Sequence, residues 1–381
     1  MLLAALALFA VVDLGEVFSS KSGWSTNLVD FVAEHVQDGF VFASRQRDVA
    51  NSLRRGSAVW LGRDVWETRV YAATDDGGVQ RVEMSLYNTG DRRPGESYAK
   101  TELAGLVSEI QARYGVGAKT PKPEKERLKS GGCRFVCSWT TCDPSVELAW
   151  GVGEGKDEEI QYVRVTLSPR RKNASRTVRG PTSAAKIRDR VRRNAEGDVW
   201  IDGVPMVDQG EKGYCAAAVS ERILRYFGCD IDEHEVAQQS GGEVRGTRVS
   251  EMIEAVRAIG AKRRLVFGRI VASADPSVTV RSEGSKKPNG HDARVRQFLS
   301  GVRSSVDKGI PVCWGVELGL YPESGLGPQL RGGHMRLIVG YNAKTREILY
   351  ADSWGAGHEL KRMPEDQALA ITHDAFFLRP H

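Results

Sequence analysis

The chain has 381 residues, of which 41% are hydrophobic and 27% charged. That length accommodates two domains with cores of their own, and the composition excludes both a disordered chain and a multi-span membrane protein. The formal charge of +5 is concentrated: Arg170 to Arg193 holds ten Lys or Arg against Asp189, a local excess of nine, which leaves the rest about four units acidic. A uniformly basic nucleic-acid binder is not built this way, so no specific nucleic-acid partner is expected.

In chain order, Leu2 to Val12 is an unbroken run of eleven apolar residues. A bilayer span takes about 20, so the run is too short to cross but suits the core of a secretory signal. No Lys or Arg precedes it, and no small-x-small cleavage site follows. Two readings stand. Residues 1–23 are a signal or anchor, with the protein secreted or in the cell envelope, or the run begins a buried helix in a cytoplasmic protein. Asn27 to Leu53 then mixes apolar and charged residues in a pattern compatible with helix. Strands are predicted at Ala58 to Leu61, Trp66 to Ala73 and Val79 to Tyr87, separated by Gly and Asp clusters. Tyr98 to Tyr114 is helical by periodicity, with Leu103, Leu106, Ile110 and Tyr114 on one face. The Pro- and Lys-rich stretch Thr120 to Lys129 is predicted as loop, and strands resume at Arg134 to Thr140, Ser145 to Gly151 and Ile160 to Leu167. Residues 24–168 thus form a separate small α+β domain, an antiparallel sheet with a helix on one face. No reaction centre assembles within it.

Three of the six cysteines fall in this half, Cys133, Cys137 and Cys142; the others are Cys215, Cys229 and Cys313. If Cys133 and Cys137 share a strand, their Cα atoms lie ~13 Å apart, beyond disulfide reach. The spacing matches no zinc pattern and no histidine is near. These cysteines read as small buried hydrophobes, with a disulfide through Cys142 as the competing reading.

The Arg-rich segment 169–197 is the natural linker, broken at Gly180-Pro181, with a short helix predicted after Ser183. A solvated connector is its plain reading. Contact with an anionic surface, or cleavage by the protein itself, are the alternatives. From Val199 the texture changes. Val199 to Val207 is strand-like, and Asp208 to Tyr214 makes a polar, glycine-punctuated loop. Cys215 follows at the start of a helix, Ala216 to Phe227, whose Val219, Ile223 and Tyr226/Phe227 recur at helical spacing before the stop at Gly228.

Position gives that cysteine chemical meaning. A free thiol is mostly protonated at neutral pH, and unpaired N–H groups at a helix N-terminus favour its thiolate. A neighbouring imidazole completes the activation. Gln209, six residues upstream, is placed to donate to an oxyanion beside the Cys215 N–H. Further on, Gly332-Gly333-His334 opens an apolar strand, Met335 to Tyr341. A turn over Asn342 to Thr345 and a second strand, Ile348 to Ala351, lead straight into Asp352-Ser353-Trp354-Gly355. A hairpin of this length sets its two ends side by side, so one ring nitrogen of His334 is free to face the thiol while Asp352 fixes the other. His358, in a Gly-flanked loop, is a second candidate base. His373 reads as surface, Asp208 as a charge on an exposed turn with orientation of the loop as its alternative, and Cys229 and Cys313 as packing residues. Trp314 to Arg331 is a candidate groove wall.

With these residues in view, the C-terminal half resembles the papain-like cysteine peptidases. Gln209-Gly210 followed by Tyr214-Cys215-Ala216-Ala217-Ala218 is similar to their nucleophile segment, including the six-residue step. Asp352-Ser353-Trp354-Gly355 looks like their Asn-Ser-Trp-Gly with Asp for Asn. The nearer likeness is to the bacterial bacteriocin-processing (double-glycine leader) peptidase-like family. It rests on Tyr226-Phe227-Gly228, the acidic stretch Asp232 to Gln239, Gly246-Thr247 opening Arg248 to Ile259, and Gly309-Ile310-Pro311 before Val312-Cys313-Trp314. It covers Asp198 to His381. Alanine follows the cysteine where Gly or Trp is frequent, and no transporter segment accompanies the domain.

The resemblance implies a papain-like domain over 198–381, with the nucleophile helix packed on an antiparallel sheet. It also implies a Cys215-His334-Asp352 triad with Gln209 as oxyanion donor, hydrolysing peptide bonds in a peptide or protein substrate without metal or organic cofactor. Acyl transfer or deamidation by the same residues, and a non-catalytic peptide-binding module, are the alternatives.

Overall fold

The computed structural model describes residues 11–72, 77–129, 131–154, 158–170, 184–240, 249–271, 288–323 and 326–381. The chain divides into two compact units, Met1–Arg176 and Thr177–His381. The division falls inside the Arg-rich segment 169–197, and residues 171–183 of that segment lie outside the described residues. Both units mix helices with antiparallel sheets, as the sequence led us to expect.

The N-terminal unit carries an eight-stranded sheet in the spatial order Val41–Phe42, Val49–Ser52, Glu67–Ala72, Val79–Asn88, Ile160–Ser168, Ser145–Val152, Cys133–Trp139, Glu124–Arg127. The Lys100–Tyr114 helix buries Leu106, Ile110 and Tyr114 in the same core as Val82, Met84, Leu148 and Val165 of the sheet. Two expectations need correction. The helical pattern over Asn27 to Leu53 is realised only as Leu28–His35, after which the chain turns into two short strands. The predicted loop at Thr120 to Lys129 contains the edge strand Glu124–Arg127, whose charged sequence suits a sheet edge.

Of the apolar run at the N-terminus, only its last two residues are described. Val12–Asp13 pairs in parallel with Ala58 and Val59, and Leu14 and Phe18 are buried in the core of the first unit. Among the described residues, no helix is long and apolar enough to cross a membrane. The cysteines are all free, with Cys133 and Cys137 on one strand, so the disulfide through Cys142 is not formed.

The C-terminal unit is organised by a six-strand path, Val191–Arg193, Asp198–Ile201, Gly332–Asn342, Val312–Leu318, Thr372–Pro380, Leu265–Val271, antiparallel throughout. Glu347–Ala351 pairs with Gly332–Asn342 off that path and with Lys361–Pro364 on its other side. The strand expected over Val199 to Val207 ends at Ile201, leaving an extended approach to the nucleophile loop. The Cys215–Tyr226 helix packs on the Gly332–Asn342 strand, and this contact sets the site's geometry. Val219, Ile223 and Phe227, spaced four apart on one face, are each 0% exposed. Full burial of such side chains is worth ~1.5–3 kcal/mol apiece.

Among the described residues, glycine is required at Gly228 and Gly309, both in this unit. Gly228 takes φ +83° and ends the helix in the left-handed conformation. Gly309, at φ +73°, passes so close to Ile187 that a Cβ would lie 2.1 Å from its carbonyl oxygen. The acidic stretch after Gly228 is a helix, Glu233–Ser240, capped by the Asp232 carboxylate on the Glu235 N–H. Gly246-Thr247 lies outside the described residues; the helix it was expected to open runs Val249–Lys262.

Candidate active site

Cys215 is the first residue of its helix. The preceding Tyr214 makes no side-chain cap, so the N–H groups of the first turn stay directed at the site. Burial alone would push the Cys215 thiol up. His334 beside it and the backbone N–H groups of Met335 and Ala216 outweigh that effect and hold it below the ordinary thiol value. By contrast, burial pushes up the thiols of Cys137, Cys142, Cys229 and Cys313. Of the residues the sequence marked as packing cysteines, Cys229 and Cys313 are indeed buried in the core.

His334 begins the inward-facing part of the Gly332–Asn342 strand. Its register opposite Glu347–Ala351 brings the ends of the hairpin together, and His334 Nε2 donates to Asp352 Oδ1 over 2.9 Å. Nδ1 is thereby left for the thiol. Burial works to lower the imidazole's basicity, but the Asp352 hydrogen bond and the Cys215 thiol raise it above the ordinary histidine value. Trp354 stacks on the ring, centroids 4.8 Å apart and planes 25° apart, and so covers one of its faces.

Asp352 is fully buried and accepts from more groups than His334. Arg336 Nε donates to Oδ1 at 2.9 Å, and Lys361 Nζ to Oδ2 at 2.8 Å. Burial would raise this carboxyl; His334, Arg336 and Lys361 instead drive it well below the usual carboxylate range. Arg336 in turn donates through Nη2 to both oxygens of Glu323, at 2.7 and 2.9 Å, and Tyr350 Oη donates to Glu323 Oε2 at 2.8 Å. From the nucleophile helix, Arg222 reaches across. Its Nη1 donates to the Asp352 carbonyl at 2.8 Å and its Nε to the Pro205 carbonyl at 2.8 Å. Burial lowers this guanidinium to about 10.

Gln209 is buried on the loop before Cys215, with its backbone N–H donating to the Ser353 carbonyl at 2.9 Å. This bond ties the loop to the residue following Asp352. The side-chain Nε2 donates to the Lys212 carbonyl at 3.2 Å. An amide nitrogen carries two hydrogens, so one remains for another acceptor. Asp208, read as a turn charge, accepts from the Gly210 N–H at 3.0 Å and shapes this loop.

The second candidate base, His358, contributes mainly its backbone. Its carbonyl accepts from the Asp352 N–H at 2.9 Å, while its ring lies edge-on to Trp354 with centroids 5.5 Å apart. His373 is a surface residue that pairs with Glu317 at 3.1 Å. Arg336, Lys361, Glu323 and Arg222 were not singled out from the sequence. Arg336 had a usable signal: it lies two residues beyond His334 on one strand, hence on the same face, and it interrupts an apolar run. Glu323 and Lys361 gave none, because tertiary folding alone brings them in.

A helix-borne thiol, a strand-borne imidazole and a buried carboxylate are, in this order along the chain, the groups expected of a cysteine peptidase. Residues 201–372 match the model of the Peptidase_C39 like family, so the resemblance read from the sequence holds for the C-terminal unit. No curated protein matches the chain. Among solved structures, it is similar to the peptidase domain of Streptococcus ComA, a bi-functional ABC transporter involved in a quorum sensing pathway, at 15% identity and a TM-score of 0.30, covering 47% of this chain and 100% of that one. It is also similar to xylellain, a cysteine protease from Xylella fastidiosa, at 16% identity and a TM-score of 0.31, covering 53% of this chain and 90% of that one. TM-scores this low do not define a fold.

Proposed function

We propose that the C-terminal unit hydrolyses peptide bonds through Cys215, His334 and Asp352, with Gln209 as oxyanion donor. The observation that carries this reading is the assembly of a first-turn helix cysteine with an imidazole whose far nitrogen is held 2.9 Å from a buried carboxylate. The contrast among the thiols supports it, since Cys215 is held down where Cys229 and Cys313 are pushed up.

In this mechanism the Cys215 thiolate attacks the scissile carbonyl and forms a tetrahedral intermediate. The Cys215 N–H and the remaining Gln209 amide hydrogen stabilise its oxygen. The His334 imidazolium gives its proton to the leaving amine, and the neutral ring then takes one from the water that releases the acyl-enzyme. Asp352 holds the ring through Nε2 and offsets the imidazolium charge.

The pH dependence follows from the two directions of shift. Activity rises as Cys215 ionises, below the ordinary thiol range, and falls as His334 loses its proton, above the ordinary histidine range. The test is hydrolysis of a mixed peptide library by wild type, Cys215→Ala and His334→Ala, with products read by mass spectrometry. Cleavage that disappears in both variants is the expected result. Equal cleavage by Cys215→Ala and wild type overturns the assignment.

A further inference from the structure

We propose that Arg336 is a positioning residue of this site: by bridging Asp352 and Glu323 it fixes the plane of the Asp352 carboxylate and, through it, the ring of His334. The inference rests on the peptidase reading above.

Its first support is the sharing of one oxygen. Asp352 Oδ1 accepts from His334 Nε2 and from Arg336 Nε, both at 2.9 Å, while Oδ2 accepts from Lys361 at 2.8 Å. The terminal torsion of an aspartate is soft. Three donors arriving on two oxygens leave it one orientation, and only that orientation turns Oδ1 toward the imidazole. The second support is the outer end of the guanidinium. Nη2 is held by both oxygens of Glu323, at 2.7 and 2.9 Å, so Arg336 is itself a fixed part. Its 0% exposure and the Tyr350 ring, 4.7 Å from the guanidinium carbon, confine it further.

Stability does not account for these charges, because a buried ion pair is often no more stabilising than apolar residues of similar volume. The charge balance does fit a role at the triad. Asp352 and Glu323 are matched by Arg336 and Lys361, so these four groups bring no net charge of their own beside the thiolate–imidazolium pair. The other groups facing it are Arg222 from the nucleophile helix, on the Asp352 carbonyl, Tyr350 from the adjoining strand, on Glu323, and His358, Glu359 and Asp208 from the flanking loops. Glu323 keeps Arg336 from drawing the Asp352 charge away from the ring.

The test is alkylation of Cys215 by iodoacetamide in the whole protein from about pH 4 to 9, with peptide mapping, in wild type, Arg336→Lys and Glu323→Gln. Lysine retains the charge but has one nitrogen, so it cannot span two carboxylates as the planar fork does. We expect wild type to react fast below pH 7. In Arg336→Lys the acid limb moves up by about one pH unit, a tenfold loss of rate on that limb, with an unchanged circular dichroism spectrum. A general packing defect has no reason to move that limb. A fast wild-type thiol with an identical Arg336→Lys profile overturns the positioning role and leaves the peptidase reading standing. An ordinary wild-type thiol overturns the peptidase reading and this inference with it. Should Arg336→Lys fail to fold, Glu323→Gln loosens only the outer end of the guanidinium. A shift in the same direction then supports the role, and an unmoved limb overturns it.

Discussion

Replacing Asp352 by asparagine changes almost nothing in shape and reverses one hydrogen-bonding role. In the native site Oδ1 accepts from His334 and Arg336 and Oδ2 from Lys361. An amide NH2 on the first side faces two donors, and on the second it faces an ammonium. Neither orientation fits, and both leave Lys361 without its carboxylate and Arg336 with Glu323 alone. Removing one partner of a buried pair costs about 3–5 kcal/mol. For a unit the size of Thr177–His381, each kcal/mol lowers the melting temperature by ~2–4 °C, so the expected loss is ~6–20 °C. Lys361→Met added to Asp352→Asn removes one of the clashing donors and restores part of it, a non-additivity expected of groups in one network. The sign with pH is fixed. The folded carboxyl lies below its unfolded value, so its contribution is present above about pH 4 and is lost as pH falls through the depressed value. The gap between wild type and Asp352→Asn therefore closes only in acid. Thermal unfolding of wild type and both variants at neutral and acid pH measures this. An Asp352→Asn protein that melts within about 2 °C of wild type at neutral pH, with undiminished Cys215 alkylation, refutes the charge argument.

Two further outcomes follow from the geometry. Gln209→Ala removes one oxyanion donor and should lower kcat by about 10²–10³ with KM little changed; steady-state kinetics on any peptide cleaved by wild type decide it, and an unaltered kcat would remove Gln209 from the mechanism. Gly309→Ala forces a side chain into φ +73° with its Cβ 2.1 Å from the Ile187 carbonyl, so it should cost at least ~1–3 kcal/mol in chemical denaturation, and a wild-type midpoint would contradict the close approach.

What the sequence disclosed, and what it did not, divides along contact range. The Cys215 helix was legible because its start, its four-residue apolar spacing and its glycine stop all lie within fourteen residues. The meeting of His334 and Asp352 was legible because a hairpin converts an 18-residue separation into adjacency. Residues 41–52 were misread as a continuation of helix, since short strands such as Val49–Ser52, buried at every position, offer no alternation to detect. The Glu124–Arg127 edge strand failed for the opposite reason, having only charged residues. The cationic surroundings of Asp352 were hidden in another way. Lys361 and Glu323 reach the carboxylate network from a separate strand and a loop, with no periodicity linking them to the triad.

The Arg222 bond to the Asp352 carbonyl spans 130 residues of sequence and joins the helix that carries the sulfur to the backbone that carries the acid. A nascent or truncated chain that has formed the helix but has yet to complete the hairpin lacks this strap, and lacks the imidazole as well. Its cysteine then keeps the helix N-terminus but lacks the imidazole, the strongest influence holding its pKa down. The reactivity proposed for Cys215 therefore depends on the completed hairpin, and the alkylation rate of one sulfur reports whether that hairpin is in place.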